Sequence, residues 1–570
     1  MVISAKIRRL IEKGETYSID FWAYGLNLLG IIFLRAFLEG VLESRHLIGH
    51  SISTPISFPA FFRHFPLFFL LSHLVILLIL HLFTREKIDR IAKIVLLFFP
   101  IILIPPIADY LLTWGQGERL YYVTTATEYS ELILNFFIPF HTTPGATSGL
   151  RIEITLLLTL LAIYVFMKTR SLIKVMGSAL ITFIILGFFG SIPFIVTAAS
   201  NGLLMLLGKN RLTAHDIFKG QNCLIAFRDH RIEAILFILL VISFILLFSF
   251  WKKNMFASII RDFRWSRFLH YLFISAFGLS LGFKMLGISF FDNLNPINYA
   301  ALMIWLIALL FVFESAVLIN DIHDYECDCI NSPERPLIRR EISKEENTTA
   351  AFLLLIIAGV SGSILGLHQL ILIAIMWIAA YFYSASPFRL KKRFILNYLI
   401  IGGVSTLCFI YGFSLFGQAE TPRFLPLNLV GMIFLYSFLC ASIKDVKDHK
   451  GDFKCGVRTI MTVLNPSSGL KIIGVCICLS FMLCPVILNM ILLIPLGVAL
   501  GGYCLISAFK GKLRERTVFI FYLFFAVFLA SLYLWNGQPI QKEKSMSDTI
   551  SEKSDPQSPA HIIPKIKNID

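Results

Sequence analysis

Charged residues are scarce in this chain of 570 residues: they make up 15% of it, against about 25% in soluble globular proteins. Regular alternation of apolar and polar residues, which would predict a membrane β-barrel, is missing as well. The cysteines lie inside apolar blocks or in separate polar loops without a regular framework, so we expect no disulfides. No small-residue cleavage site follows the first apolar block, so we expect no cleaved signal peptide. These absences exclude a soluble globular domain, a β-barrel and a disulfide scaffold.

The sequence instead contains long blocks of apolar residues. Hydrophobic residues make up 57% of the chain, and blocks such as Ile232–Trp251 have the length of about 20 residues that a membrane-spanning helix needs. In lipid every backbone polar group must find a partner within its own segment, so these blocks should be helices. The sequence therefore predicts an all-α polytopic membrane protein with about six spans in its N-terminal half and nine in its C-terminal half. The N-terminal spans are expected near 21–42, 66–83, 94–112, 152–167, 177–206 and 232–251, and the C-terminal spans near 268–288, 297–319, 348–367, 369–383, 396–416, 425–443, 470–486, 488–508 and 518–535.

The basic stretch 252–267 separates the two halves. It predicts an N-terminal membrane module of unknown function at 1–251, a basic linker at 252–267 and a second domain at 268–536. The residues 537–570 are polar and rich in Ser, Lys and Pro, which is typical of a disordered tail. We interpret the net charge of +15 as loop asymmetry and not as nucleic-acid binding.

The positive-inside rule orients the spans. If the basic N-terminus lies inside, the basic loops of both halves fall on the cytoplasmic side. The opposite loops 289–296 and 417–421 carry no Lys or Arg, although the outer loops 43–65 and 201–231 carry some. The sequence therefore predicts that the loops after the second, fourth, sixth and eighth C-terminal spans face the cytoplasm.

Two acidic clusters lie at predicted inner ends of C-terminal spans. Their members are four apart or one turn apart, so a continuing helix would place them on one face. The first acidic cluster contains Asn320, Asp321, Asp324 and Asp328, and the second contains Asp445, Asp448 and Asp452. Clustered carboxylates near lipid are costly unless they are paired or bind a metal.

Oxygen ligands of this kind favour magnesium, which typically binds one or two carboxylates and completes its shell with substrate phosphates. Two facing clusters would hold a diphosphate through Mg²⁺ and ease its departure, while an allylic chain would lie among apolar helices. The predicted metal ligands are Asp321, Asp324, Asp328, Asp445, Asp448 and Asp452.

Basic residues follow both clusters on the same predicted side. Arg335 follows the first cluster, Arg389 and Lys391 follow the fourth C-terminal span, and Lys454 and Arg458 follow the second cluster. Arginine suits bidentate phosphate binding and lysine suits a point-charge contact. These basic residues could contact a phosphate, although inside loops are basic for reasons of topology alone.

Three segments together resemble the UbiA superfamily of intramembrane prenyltransferases. The first cluster with its continuation 331–336 resembles that family's first signature, the segment 383–391 resembles its loop between the fourth and fifth helices, and the second cluster with 456–459 resembles its second signature. The resemblance covers about 268–535 and implies a nine-helix bundle with both signatures on the cytoplasmic side. It implies that Mg²⁺ and an isoprenyl diphosphate bind at the clusters through Asn320, Asp321, Asp324, Asp328, Asp448 and Asp452, with Arg389, Lys391 and Arg458 on the diphosphate. With this resemblance we predict Asp321, Asp324 and Asp448 as catalytic residues. The predicted substrate-binding residues are Asn320, Arg335, Arg389, Lys391, Lys454 and Arg458. The acceptor would be an aromatic or other hydrophobic compound of a lipid pathway.

Other interpretations remain open. The clusters could be solvated helix ends, and the basic loops could reflect topology alone. Phosphoribosyl transfer to polyprenyl phosphate is an alternative within the same superfamily, and a cation transporter would need acids near the middle of several spans. His323 and His449 are better explained as incidental polar residues than as metal ligands. The spacing of Cys327, Cys329 and Cys455 gives only a weak indication of zinc.

The N-terminal half resembles no family that we recognise. It could position an acceptor, dock a partner or be a separate fused enzyme. Arg35, Glu39 and Asp109 lie within or at the ends of its apolar blocks, and ionisable residues in such places are candidates for function. Arg35 and Glu39 have the spacing of an ion pair within one helix, which is an equally good interpretation.

Overall fold

The computed structural model describes most of the chain, and its regular elements are helices. Within the described part, the β-type pairing is an isolated bridge between Thr143 and Ala146. The predicted tail and most of the predicted outer loops lie outside the described residues. The structure describes residues 2–43, 60–115, 120–138, 141, 143–206, 208–219, 224–225, 229–285, 295–415 and 425–536.

Fifteen helices of the described part are long and apolar enough to cross a membrane. Six lie in the N-terminal half and nine in the C-terminal half, which confirms the predicted all-α membrane architecture. One predicted span differs, because the block 177–206 forms two helices, Leu172–Gly190 and Ile192–Leu206. The backbone leaves the helical region at Ser191 (φ −121°, ψ 19°), and Pro193 sits in the first turn of the second helix, where a missing N–H costs nothing.

The N-terminal half consists of eleven described helices. The short α1 packs against α4, and α2, α3, α5, α7 and α8 pack around one another. These helices are α1 (Val2–Thr16), α2 (Phe21–Glu43), α3 (Phe65–Thr84), α4 (Ile88–Phe98), α5 (Ile104–Leu112), α6 (Ala126–Asn135), α7 (Ser148–Thr169), α8 (Leu172–Gly190), α9 (Ile192–Leu206), α10 (Ala214–Lys219) and α11 (Asp229–Trp251).

The remaining described helices form a closed bundle. Helices that are neighbours in sequence mostly pack together, and the last one returns to pack against α13. These helices are α12 (Lys253–Asp262), α13 (Trp265–Met285), α14 (Pro296–His323), α15 (Tyr325–Asn331), α16 (Lys344–Leu365), α17 (Leu367–Ser384), α18 (Leu396–Phe413), α19 (Leu427–Cys440), α20 (Asp445–Lys454), α21 (Ile460–Val463), α22 (Pro466–Ile487), α23 (Ile494–Phe509) and α24 (Glu515–Asn536).

Local sequence explains where α14 begins, the helix that leads to the first acidic cluster. Asn295 caps α14 by accepting the backbone N–H of Ile297 at 2.9 Å, and Pro296 occupies the first helical position. Both features are favoured at helix N-termini. Because the helix then runs unbroken to His323, it carries Asn320 and Asp321, the first two members of the first acidic cluster, to the far end of the bundle.

The predicted linker is largely helical, and the helix before it, α11, contacts both halves. The linker residues form α12 and enter α13, while α11 packs against α3 of the N-terminal half and against α14 and α16 of the bundle. The domain boundary at 252–267 stays a prediction.

Candidate active site

A cavity of about 820 Å³ lies inside the bundle. Helix interiors give it an apolar wall that includes Leu309, Val312, Met376 and Val404. The ends of α14 and α19, the short helices α15 and α20 and the loop before α18 give it a polar end. Eight of the predicted site residues line this cavity, and they are Asn320, Asp324, Asp328, Arg335, Lys391, Asp445, Asp448 and Asp452.

The first acidic cluster spans a short break between α14 and α15. The backbone leaves helical geometry at Asp324 (φ −99°, ψ 5°). Even so, the N–H of Asp324 donates to Asn320 O at 2.9 Å and that of Asp328 donates to Asp324 O at 2.8 Å. The four-residue hydrogen bonds therefore continue through the break, and Asn320, Asp324 and Asp328 all reach the same cavity.

Arginines neutralise two carboxylates of the first cluster. Asp321 accepts from Arg335 Nη1 at 2.9 Å and also contacts Arg264. Arg335 contacts Asp328 as well. Burial raises the pKa of Asp328 to about 7, with Arg335 opposing the shift and the charges of Asp321 and Asp324 adding to it. Asp321 thus lies just behind the cavity wall and is held by two guanidinium groups.

The loop between α17 and α18 supplies cations to Asp324. Lys391 is buried, contacts the Asp324 carboxylate and lies with Nζ 3.4 Å from Asn320 Oδ1. Burial lowers the pKa of this lysine, against the opposing charge of Asp324. Arg389 adopts a left-handed φ of 41°, donates to His323 O at 2.6 Å and places Nη2 3.8 Å from Asp324 Oδ1. A non-glycine residue in this conformation is strained, and such strain is often found at functional sites.

The second acidic cluster lies on α20, and its carboxylates have different partners from those of the first cluster. Asp445 accepts a hydrogen bond from the Tyr398 hydroxyl at 2.5 Å, and that hydroxyl accepts from Ile460 N at 3.0 Å. Asp448 and Asp452 line the cavity and form no ion pair with any described residue. These two carboxylates are therefore the ones whose charge a bound cation would balance.

A direct contact joins the helices that carry the two clusters. The Asn331 amide donates to Asp448 O at 3.1 Å and accepts from Gly451 N at 2.9 Å. A disulfide between Cys327 and Cys455 joins the same helices, so the expectation of no disulfides is wrong at this pair. The packing of α15 against α20 brings the Cα atoms of Cys327 and Cys455 to within 6.0 Å of each other, inside the range that a disulfide needs. These cysteines are 128 residues apart, a relation that no local spacing shows.

Several basic residues on the cavity wall were not predicted, because positive-inside topology already explained their segments. They are Arg264, Arg267, Lys444, Lys447 and Arg516. Conversely, two predicted substrate-binding residues, Lys454 and Arg458, are exposed and do not line the cavity. Arg389 does not line the cavity either, but it lies beside Asp324, which does. No signal local to the sequence separates the lining residues from the others in the same basic loops.

The donor set fits a magnesium ion that is completed by substrate. Among the described residues, no three His, Cys, Asp or Glu side chains come together as a ready metal site. Magnesium needs only one or two protein carboxylates when phosphate oxygens supply further ligands. Asp448 and Asp452 at the polar end of an otherwise apolar cavity meet that requirement.

The fold and the cavity define a multi-pass integral membrane protein with an intramembrane site. Residues 280–532 match the model of the UbiA prenyltransferase family. The digeranylgeranylglyceryl phosphate synthase of Methanococcus aeolicus is 31% identical over 37% of this chain and 68% of its own length. The enzyme of that name from Methanobrevibacter smithii is 26% identical over 32% of this chain and 65% of its own. The chain belongs to the UbiA prenyltransferase family, and the prediction of a UbiA-type prenyltransferase is confirmed.

Among solved structures, a UbiA homologue from Archaeoglobus fulgidus bound to GPP and Mg²⁺ is similar with a TM-score of 0.39 and 18% identity. The match covers 49% of this chain and 98% of that one.

Proposed function

We propose that this protein transfers a prenyl group from an isoprenyl diphosphate to a lipid acceptor within the membrane. The observation that supports the proposal is a single cavity with a charged end and an apolar remainder. Its polar end joins both acidic clusters to arginine and lysine side chains, and its wall between the helices is apolar. A prenyl diphosphate has the same division between a highly charged head and a hydrocarbon chain.

In the proposed reaction, the carbon–oxygen bond of the allylic diphosphate breaks and its electron pair leaves with the diphosphate. The acceptor then supplies the electron pair for the new bond and gives up a proton. Lys391 and Arg335 line the polar end of the cavity and would contact the leaving diphosphate, while Asn320, held by Ser384 Oγ at 2.8 Å, would orient it. Preorganised cations of this kind stabilise the charge that develops in the transition state.

We propose Mg²⁺ as the cofactor, held through Asp448 and Asp452 and through Asp324 and Asp328 across the cavity. Bound magnesium would supply positive charge that makes the diphosphate a better leaving group. Asp445 would act as a positioning residue, because Tyr398 already holds its carboxylate. We place this site on the cytoplasmic side, which the basic loops at the same end of the bundle support.

The acceptor class is proposed from the relatives. Their name describes synthesis of a glyceryl phosphate that carries two prenyl groups. A glyceryl phosphate lipid with a free hydroxyl is therefore the first acceptor to offer.

The test measures magnesium-dependent diphosphate release by the full chain in detergent. Labelled isoprenyl diphosphates of several lengths are offered with a glyceryl phosphate lipid or a membrane lipid extract. We expect release and a labelled lipid product, and loss of at least 100-fold in Asp324→Asn and Asp448→Asn, on the order expected when a metal-orienting or transition-state contact is removed. Glu326→Gln is the matched control, since Glu326 is an exposed acid of α15 outside the cavity. No release with any donor, or equal release in all four proteins, would reject the proposal.

A further inference from the structure

A second cavity, of about 780 Å³, lies wholly inside the N-terminal half. This N-terminal cavity is lined by helices α1–α4, α7 and α8, by the 3₁₀ turn Phe99–Leu103 that joins α4 to α5, and by the segment before α6. Its volume is within the range of about 300–1,000 Å³ typical of small-molecule sites. None of its lining residues belongs to the bundle that contains the candidate active site. The N-terminal cavity is therefore a separate feature of the molecule.

Nearly all of its wall is apolar, but one end carries charge. Arg35 is buried and forms an ion pair with Glu39, four residues later on α2, with Nη1 2.6 Å from Oε2. The intrahelical pair, one of the two interpretations that the sequence left open, is present in the structure. Glu153 of α7 lines the same cavity, is 7% exposed and accepts no hydrogen bond from any described residue.

The charged end has an excess of acid. Arg35 is the one Lys or Arg among the described lining residues, and it faces two glutamates, Glu39 and Glu153. Nε and Nη1 of Arg35 and Oε2 of Glu39 make no hydrogen bond within the described part of the chain. A ligand could therefore satisfy donors and acceptors here, while two acids against one cation leave the lining acidic. One turn earlier on α7, Gly149 donates its N–H to Asp109 Oδ1 at 2.5 Å, which places another acid close by. A buried polar group without a hydrogen-bond partner costs free energy, so a ligand that donates to Glu153 gains binding energy there. An anionic head would instead meet a negatively charged wall.

The opposite end offers no second polar group to a ligand. Tyr164 lines it, but its hydroxyl already donates to Glu15 Oε1 at 2.9 Å, and Lys168 balances that glutamate at 2.8 Å. Leu10 and Ile11 of α1 line the same end with apolar side chains. Glu153 and Tyr164 are eleven residues apart on α7, about 16 Å at the helical rise per residue. The cavity thus has one polar end and the depth of a single hydrocarbon chain.

We propose that the N-terminal half holds a second lipid site, which takes a single-chain amphiphile whose head group donates hydrogen bonds and carries no negative charge. A lipid alcohol or a lipid amine has this chemistry. The site excludes the diphosphates that the C-terminal cavity is built to hold, so the two cavities select lipids by opposite charge. Glu153 anchors the head group, and the apolar wall between α3, α4 and α7 covers the chain.

The test uses three photoreactive probes with the same chain, namely dodecanol, dodecylamine and dodecyl phosphate. Each is crosslinked to the full chain in detergent, and labelled peptides are mapped by mass spectrometry. We expect the alcohol and the amine to label peptides of α7 and α3. The phosphate should label them roughly tenfold less, which corresponds to a difference of about 1.4 kcal/mol in binding free energy.

Variants make the role of Glu153 testable. Glu153→Gln removes the negative charge and retains the shape, so phosphate labelling of α7 should rise several-fold towards that of the alcohol. Glu131→Gln is the matched control, because Glu131 is exposed on α6 and lies outside the cavity. Leu157→Trp narrows the cavity and retains Glu153, so it should lower labelling by all three probes together. Elution as a single peak in size-exclusion chromatography checks that each variant is folded.

Three outcomes would overturn the proposal. They are equal labelling of α7 by phosphate and alcohol in the unmodified protein, a ratio that Glu153→Gln leaves unchanged, and labels that map only to the C-terminal bundle. Diphosphate release, measured separately, tests the proposed transferase and does not enter this readout.

Discussion

At the scale of single residues, the two acidic clusters differ in how their charge is balanced. Asp321 contacts Arg264 and Arg335, and Asp324 contacts Lys391. Asp448 and Asp452 have no ion pair within the described part of the chain. The first cluster is thus held in place by protein cations, and the second is the more open to a metal. Substitutions in the supporting cations should therefore misplace the first cluster without removing a ligand.

Arg264 is the supporting residue that the sequence did not predict, and Arg264→Gln tests its role. Without it, Asp321 and Asp328 share Arg335 alone, so the Asp321 carboxylate loses one of the groups that orient it. Arg335 also contacts Asp328, a proposed metal ligand, so the loss reaches the metal site through Arg335. We expect kcat/KM for diphosphate release to fall roughly 10-fold, at the lower end of the effects seen when a group that supports a metal ligand is removed. The measurement is steady-state release at several magnesium concentrations.

Arg261→Gln provides the matched control. Arg261 lies one turn earlier, in α12, is largely exposed and pairs with Glu341 outside the cavity. Exposed pairs contribute little, about 0–1 kcal/mol, so this variant should keep its rate. A normal rate in Arg264→Gln would show that Arg335 alone positions Asp321.

At the scale of elements, the two clusters face each other because α15 and α20 approach closely. Gly451 makes that approach possible: a Cβ there would lie 2.3 Å from Asn331 Nδ2 and 2.5 Å from Asn331 Oδ1. The same asparagine bonds to both the backbone carbonyl of Asp448 and the N–H of Gly451. The disulfide Cys327–Cys455 ties the same two helices together. The spacing between the clusters thus depends on this one contact region.

Gly451→Ala should therefore disturb both stability and activity. The added methyl group would collide with the Asn331 side chain, so either that amide leaves its two hydrogen bonds to α20 or α15 moves away. Overpacking of this kind typically costs about 1–3 kcal/mol. We expect a lower melting temperature in detergent and a diphosphate-release rate reduced at least several-fold. Differential scanning fluorimetry and the release assay measure the two effects.

Gly431→Ala is the control for the helix-propensity effect of this substitution. A Cβ at Gly431, within α19, meets no atom within 4 Å, and alanine is favoured over glycine in a helix interior by about 1 kcal/mol. This variant should melt at the same temperature or slightly higher. If both variants behaved alike, close approach at Gly451 would not be what sets the distance between the clusters.

At the scale of the whole molecule, the features that could be predicted are those that depend on residues close together in the sequence. Span positions follow from the length of apolar blocks, and the face shared by Asp324 and Asp328 follows from helical spacing. The Arg35–Glu39 pair is predictable for the same reason.

Features that join distant segments could not be predicted in this way. Arg264 lies in a basic stretch that topology already explained, and Cys327 meets Cys455 only because α15 packs on α20. Glu153 carries no local signal, since its significance depends on Arg35 and Glu39 of another helix lining the same cavity. Each of these residues acquires its role from tertiary packing, for which a single sequence without relatives contains no direct signal.

Contacts between the two halves decide whether they behave as one unit. Arg63, in the π-helical turn Ala60–His64 before α3, lies with Nε 3.1 Å from Glu233 Oε2 of α11 and donates to Ser363 O of α16 at 2.7 Å. His230 of α11 also bonds to Ile364 O at 3.0 Å. One arginine thus connects the turn before α3 both to α11 and to a helix of the bundle. Removal of one partner from a buried ion pair is strongly destabilising, because it leaves the other charge buried and uncompensated.

Arg63→Gln should lower the temperature at which diphosphate release is irreversibly lost, although Arg63 lies far along the chain from the active-site residues. Loss of a buried partner costs about 3–5 kcal/mol, and here the cost falls on the joint between the halves. Samples are heated for a fixed time, cooled and assayed. Arg8→Gln serves as the control, because it removes an exposed pair with Glu12 on α1. Equal inactivation temperatures for Arg63→Gln and the unmodified protein would mean that the bundle is stable independently of the N-terminal half. A drop confined to Arg63→Gln would mean that the N-terminal half stabilises the transferase through these contacts.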